Sequence, residues 1–214
     1  IGLGGGSALD IAKASAVMLT NEGSIVDYVG IDMIPQPGLP KVLIPTTAGT
    51  GSEVSPIAIL SDTQAHLKKG IVSRRLYPDV ALVDPDLTVS LPPHITAYTG
   101  VDALTHAIEA YTNRFAHPLI DTLAIKAIEL VGQYLPRAVA RGDDAEARYF
   151  MSMASTLGGM CLGPVNTGAV HALAYPLGGL YNVPHGVANS LLLPYVMRYN
   201  LLSSQVKYAQ IAHA

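Results

Sequence analysis

From residue 149 to residue 197 the chain carries no Asp, Glu, Lys or Arg, yet this stretch contains His171 and His185. Pro164, Pro176, Pro184 and Pro194 interrupt it, and no uninterrupted apolar run reaches the roughly 20 residues a bilayer span requires. The segment therefore reads as protein interior, part of it lying at a domain or subunit interface. Histidines in such a setting need polar partners. Upstream, Asp102 and His106 are one helical turn apart, so both side chains project from one face. Val101, Leu104, Ile108 and Tyr111 form an apolar stripe on one flank; Ala103, Ala107 and Ala110 line another. Taken alone, the pair is more simply a hydrogen-bonded couple at a helix surface. Together with His171 and His185, it makes one carboxylate and three imidazoles, a four-ligand set for a divalent metal that leaves room for a substrate oxygen.

Composition sets the outer bounds. A chain of 214 residues is long enough for one large or two small domains. Half of it is hydrophobic, 14% is charged and the net charge is −3, so no broad basic surface for nucleic acid is expected. A membrane partner is not expected either. Cys161 is the single cysteine, which excludes an internal disulfide and suits a reducing, cytoplasmic setting. The chain opens at Ile1 in what reads as a strand end and stops at Ala214 within a helical pattern. We expect a fragment of a longer protein.

Apolar periodicity predicts strands ending at residue 3 and over 41–45, 57–61 and 80–84, with a helix over 7–19. After Leu91-Pro92-Pro93 the texture becomes helical, with predicted helices over 95–113, 119–139, 145–157, 169–177 and 186–199. The expected architecture is an α/β nucleotide-binding domain, partial, over residues 1–93, followed by an all-helical metal-binding domain over 94–214.

Two loops suit phosphates. Gly2-Leu3-Gly4-Gly5-Gly6-Ser7 follows a strand and opens a helix that carries Asp10 and Lys13. Uncrowded backbone N–H groups there can meet a pyrophosphate, although Ser7 breaks the G-x-G-x-x-G pattern and a simple tight turn explains the run equally well. Residues 45–53, Pro-Thr-Thr-Ala-Gly-Thr-Gly-Ser-Glu, form a second small polar loop behind a strand. It reads equally as a nucleotide contact or as a capped helix start. Two such loops at strand ends favour the nucleotide, because open α/β sheets bind ligands there.

Read together, Gly4-Gly5-Gly6-Ser7, the 45–53 loop, residues 100–107 (Gly-Val-Asp-Ala-Leu-Thr-His-Ala), 171–174 (His-Ala-Leu-Ala) and 184–189 (Pro-His-Gly-Val-Ala-Asn) resemble the iron-containing (group III) alcohol dehydrogenases. The resemblance runs through nearly the whole chain. It implies an enzyme that passes hydride between an alcohol or aldehyde substrate and NAD or NADP, with Fe²⁺, or Zn²⁺ in some relatives, on Asp102, His106, His171 and His185. It also implies cofactor contacts from Gly5, Gly6, Ser7, Asp10, Thr46, Thr47, Thr50 and Lys68, with Lys69 as a rival to Lys68. Many relatives place a histidine near the nicotinamide where this chain has Tyr175, which becomes the candidate catalytic hydroxyl. A homo-oligomer, a dimer or larger, is expected from the same resemblance. Alternatives are a hydroxyacid–oxoacid transhydrogenase, a glycerol-dehydrogenase-like enzyme, a dehydroquinate-synthase-like lyase and a non-catalytic metal-binding fragment. The lyase is disfavoured by the scarcity of Lys and Arg near the metal residues. His66, His94, His117 and His213 are expected at the surface, Cys161 as a buried small hydrophobe, and Asn189 as a capping or packing residue.

Overall fold

A computed structural model describes every residue except 63, 64 and 66, so His66 lies outside the described residues. The first third of the chain is mixed α/β. Strands β1 (Gly2–Gly4), β3 (Val42–Pro45) and β6 (Val80–Ala81) form a parallel sheet in the order β1-β3-β6. Strands β2 (Gly30–Ile31), β4 (Ile57–Asp62) and β5 (Leu67–Val72) form a second sheet in which β4 and β5 run antiparallel. Helix α1 (Gly6–Met18) packs on both, and Val17 joins Tyr28, Ile34, Ala58, Ile71 and Leu76 in a small buried core. Strand β5 is not evident from periodicity, because Lys68-Lys69-Gly70 interrupts its apolar pattern; pairing with β4 and β2 supplies the order that local preference lacks.

From Pro93 onward the described chain is helical: α2 (Pro93–Tyr111), α3 (Pro118–Ala140), α4 (Ala145–Val165), α5 (Ala169–Tyr181), α6 (His185–Asn200) and α7 (Gln205–His213). Helices α2, α3 and α4 form the centre of this region. Ala107, Ile108, Tyr111, Ile120, Ala124, Ile128, Cys161 and Val170 are buried between them and their neighbours. Helix α4 runs eight residues beyond the end expected at 157, through Gly158, Gly159 and Pro164. Each glycine costs roughly 1 kcal/mol of helix preference, but both are buried, and tertiary packing overrides that cost.

The same glycines bring the two regions together. Gly51 has a left-handed φ of 58°, and a Cβ there would lie 2.4 Å from the Gly159 Cα. Only glycines at both places allow the 45–53 loop and α4 to meet backbone to backbone. Buried Arg148 reinforces the join from α4, donating to Thr96 Oγ1 (2.9 Å) and to the carbonyls of Gly142 (2.9 Å) and Leu91 (3.3 Å). No described helix is long and apolar enough to cross a membrane.

Candidate functional site

The predicted metal residues arrive from three helices. Asp102 and His106 lie on one face of α2, His171 in the first turn of α5, and His185 at the first position of α6. Asp102, His106 and His171 are buried, and their potential ligand atoms all fall within 4.8 Å of one another. His185 stands just outside this group, with Nε2 3.7 Å from Asp102 Oδ1 and its side chain 29% exposed. His171 stacks on His106, ring centroids 4.5 Å apart and planes inclined by 17°.

Two residues complete this pole. Asn189, expected to cap or pack, is fully buried; its Nδ2 lies 2.6 Å from Asp102 Oδ1, 3.1 Å from His171 Nε2 and 3.2 Å from His185 Nε2. Glu109 lies 2.6 Å from His171 Nδ1 and accepts from the backbone N–H groups of Gly168 and Val170. Spacing offered a signal for both. Glu109 is seven residues after Asp102 and three after His106, on the same helical face, and Asn189 is four after His185.

Electrostatics follow from the crowding. Burial opposes the charge on Asp102, but the surrounding histidines overcome it and keep the carboxylate well below the usual range. Burial also lowers His106, to about 4, with His171 and His185 adding to the shift against the pull of Asp102. His171 moves the other way, to about 9, because the Asp102 carboxylate 3.6 Å away and the hydrogen bond to Glu109 outweigh its desolvation. More electron-pair donors meet at the Asn189 amide than its two hydrogens can satisfy. That surplus of O and N donors fits a divalent cation.

These residues open on a cavity of about 480 Å³ between the helical and α/β regions, lined also by Gly6, Ser7, Asp10, Thr47, Thr50, Lys68 and Tyr175. Gly5 and Thr46 do not line it among the described residues. The two loops abut: a Cβ at Gly6 would sit 2.6 Å from Thr50 Cγ2. Asp10 borders the cavity, but its carboxylate already accepts from Ser52 Oγ (2.6 Å) and the Ile59 N–H (2.9 Å) and lies 3.4 Å from the Lys13 ammonium. Its contacts tie helix to loop. Lys68 and Lys69 separate cleanly, since Lys68 faces the cavity whereas Lys69 pairs with Asp62 at 2.7 Å. Tyr175 stacks on His185 at 6.3 Å, and burial, with Glu109, Asp10 and Asp102 nearby, raises its phenol above the ordinary value. His94, His117 and His213 are exposed, and Cys161 is buried with its thiol pushed up to about 11, chiefly by desolvation.

Comparison with known proteins supplies the family. Residues 1–85 match the profile described as iron-containing alcohol dehydrogenase, and residues 96–214 match the C-terminal part of the Fe-containing alcohol dehydrogenase family. The chain is 50% identical to long-chain-alcohol dehydrogenase 1 of Geobacillus thermodenitrificans, covering 100% of this chain and 54% of that protein. It is 47% identical to 1,3-propanediol dehydrogenase of Klebsiella pneumoniae, covering 98% and 54%. A 1,3-propanediol oxidoreductase crystal structure superposes with a TM-score of 0.95 at 46% identity, over 99% of this chain and 55% of that one. Sulfoacetaldehyde reductase from Bifidobacterium kashiwanohense, solved with NAD⁺, gives 0.86 at 43% identity, over 93% and 53%. The chain spans about half the length of the curated relatives it matches. With a family profile covering more than half of its residues, the chain belongs to the iron-containing alcohol dehydrogenase family.

Proposed function

We propose that this chain supplies the metal pole and part of the cofactor cleft of a nicotinamide-linked alcohol dehydrogenase, or carbonyl reductase in the reverse direction. The observation that carries the reading is one cavity bordered by Asp102, His106, His171 and His185 on the helical side and by Gly6, Ser7, Thr47, Thr50 and Lys68 on the other. In this reading residues 1–93 form the partial dinucleotide-binding domain and 94–214 the metal-binding domain. A divalent cation on the four ligands, Fe²⁺ by family and Zn²⁺ as an alternative, supplies Lewis acidity that favours the deprotonated form of an alcohol. The nicotinamide of NAD or NADP supplies the hydride acceptor.

The protein's own residues do the rest. The backbone N–H groups of Gly6 and Ser7, at the start of α1, would receive the pyrophosphate, with the Thr47 and Thr50 hydroxyls beside it. Lys68 adds the cationic contact. The Tyr175 hydroxyl, stacked through its ring on His185, orients the substrate oxygen. Leu91, Ile95, Leu162 and Pro184 line the cavity with apolar surface that limits water.

Among the described residues Lys68 is the one Lys or Arg in the lining. This favours an uncharged alcohol or aldehyde over the anionic hydroxyacid of a transhydrogenase. Association of copies fits the exposed Tyr195, Tyr199 and Leu202 of the C-terminal helical region, and the lone cysteine suits a cytoplasmic enzyme. The test is nicotinamide reduction followed by absorbance, with Fe²⁺ or Zn²⁺ and a series of primary alcohols and diols. The expected result is metal-dependent turnover that a chelator abolishes. Tight metal uptake without NADH binding or turnover would leave the non-catalytic metal-binding fragment as the reading.

A further inference from the structure

We propose that Glu109 is a positioning residue for the metal centre, setting which nitrogen of His171 is available to a cation. The inference rests on the reading of Asp102, His106, His171 and His185 as metal ligands. Three N–H groups converge on the two oxygens of this one buried carboxylate: Gly168 N at 2.9 Å, Val170 N at 2.7 Å and His171 Nδ1 at 2.6 Å. A carboxylate only accepts, so it can take all three. Its partner nitrogen on His171 must then be the one carrying hydrogen. That leaves Nε2, which points the other way towards Asp102 Oδ1 (3.6 Å) and the Asn189 amide (3.1 Å), as the ring atom whose lone pair can meet a metal. Nothing else hydrogen-bonds to His171 Nδ1 among the described residues.

Glu109 also ties the ligands together mechanically. It sits on α2, as Asp102 and His106 do, and its bonds to Gly168 and Val170 anchor the first turn of α5, where His171 resides. One side chain thus fixes both the register of α5 against α2 and the orientation of the imidazole. Outer carboxylates that hold a ligating histidine are worth roughly 10–100-fold in metal affinity.

The substitution Glu109→Gln keeps size and burial but replaces an acceptor oxygen with a donor. With the amide nitrogen in place of Oε1 the Val170 N–H loses its partner; in place of Oε2 the Gly168 N–H does, and His171 turns its hydrogen to Nε2 and blocks that nitrogen. Zinc affinity, measured by competition with a chromophoric chelator, is expected to fall roughly 10–100-fold in Glu109→Gln. Part should return in Glu109→Asp, which restores an acceptor-only group one methylene shorter. Thermal midpoints of the metal-free proteins separate positioning from capping. If both variants lose zinc in proportion to their lost stability, or if Glu109→Gln binds as tightly as the parent, the assignment is overturned. If the parent itself takes up no zinc, the metal reading fails first and takes this inference with it.

Discussion

The two poles of the cavity are built from different materials. On the helical side the functional groups are side chains, buried except for the partly exposed His185 and Tyr175, and engaged by one another: Glu109 on His171, Asn189 on Asp102, His106 stacked against His171. On the α/β side the candidate contacts are backbone turns and small hydroxyls, and the fully buried Lys13 serves the fold rather than the cavity. Its ammonium donates to the carbonyls of Ser52 (2.9 Å), Ser55 (3.4 Å) and Ile57, and lies beside Asp10. Burial lowers the lysine's pKa, with Asp10 and Glu53 opposing the shift. One pole thus uses buried polar groups to present ligands; the other uses them to hold a loop in place. The first should fail in chemistry when altered, the second in stability.

The largest effect expected is at the first pole. Asp102→Ala removes the one carboxylate of the ligand set and leaves three imidazoles facing one another, so metal retention after dialysis should be lost. The loss should exceed the roughly 100-fold expected of an outer partner. His171 keeps Glu109 as its partner, so the chain should still fold, at some cost in stability from the lost buried carboxylate. Retention of a full metal equivalent would break the comparison.

At the second pole, Lys13→Met should lower unfolding free energy on the order of 3 kcal/mol, since it strips the cation from the buried Asp10 and from three carbonyls. Denaturant titration measures this. Zinc affinity should stay near that of the parent, and a proportionate loss of metal would show that the poles are not separable.

The pH dependence sharpens the distinction. His171 is held up to about 9 against an ordinary 6.5. Its ionic contribution to the metal-free protein is therefore complete below 6.5 and lost as pH rises through about 9. A cation must displace that proton, so zinc affinity should climb with pH across the same window and level off above it. Calorimetry in buffers of different ionisation enthalpy counts the released proton. Affinity that is flat over this range would contradict the assignment of His171.

The smallest effect is expected at Tyr175. Removing only the hydroxyl, as Tyr175→Phe, keeps the ring against His185 and should lower kcat/KM by roughly fivefold, the value of about one hydrogen bond. Metal affinity should not move.

How legible each pole was in the sequence follows from its material. Asp102, His106, His171 and His185 stand out because ionisable side chains are conspicuous in an apolar context, and a helix turns fixed spacing into a shared face. Glu109 and Asn189 obeyed the same spacing but could equally have been a surface carboxylate and a cap; only the packing of α5 and α6 against α2 decides. The cofactor loops carry no such chemical label. Glycines and threonines serve turns as readily as phosphates, so their reading leaned on resemblance. Asp10 illustrates the difficulty: it lies where a contact was expected, yet its carboxylate is committed to Ser52 and Ile59. The mixed α/β beginning and the helical remainder were visible in periodicity. Strand β5 and the full length of α4 were not, because each depends on partners distant in sequence.

The most direct test of the central claim is an anomalous difference map from crystals loaded with Zn²⁺ or Fe²⁺, recorded at the metal's absorption edge. One strong peak bounded by Asp102, His106, His171 and His185 is the predicted result. A peak bound elsewhere, or fully loaded crystals in which these four side chains do not share one ion, would contradict it.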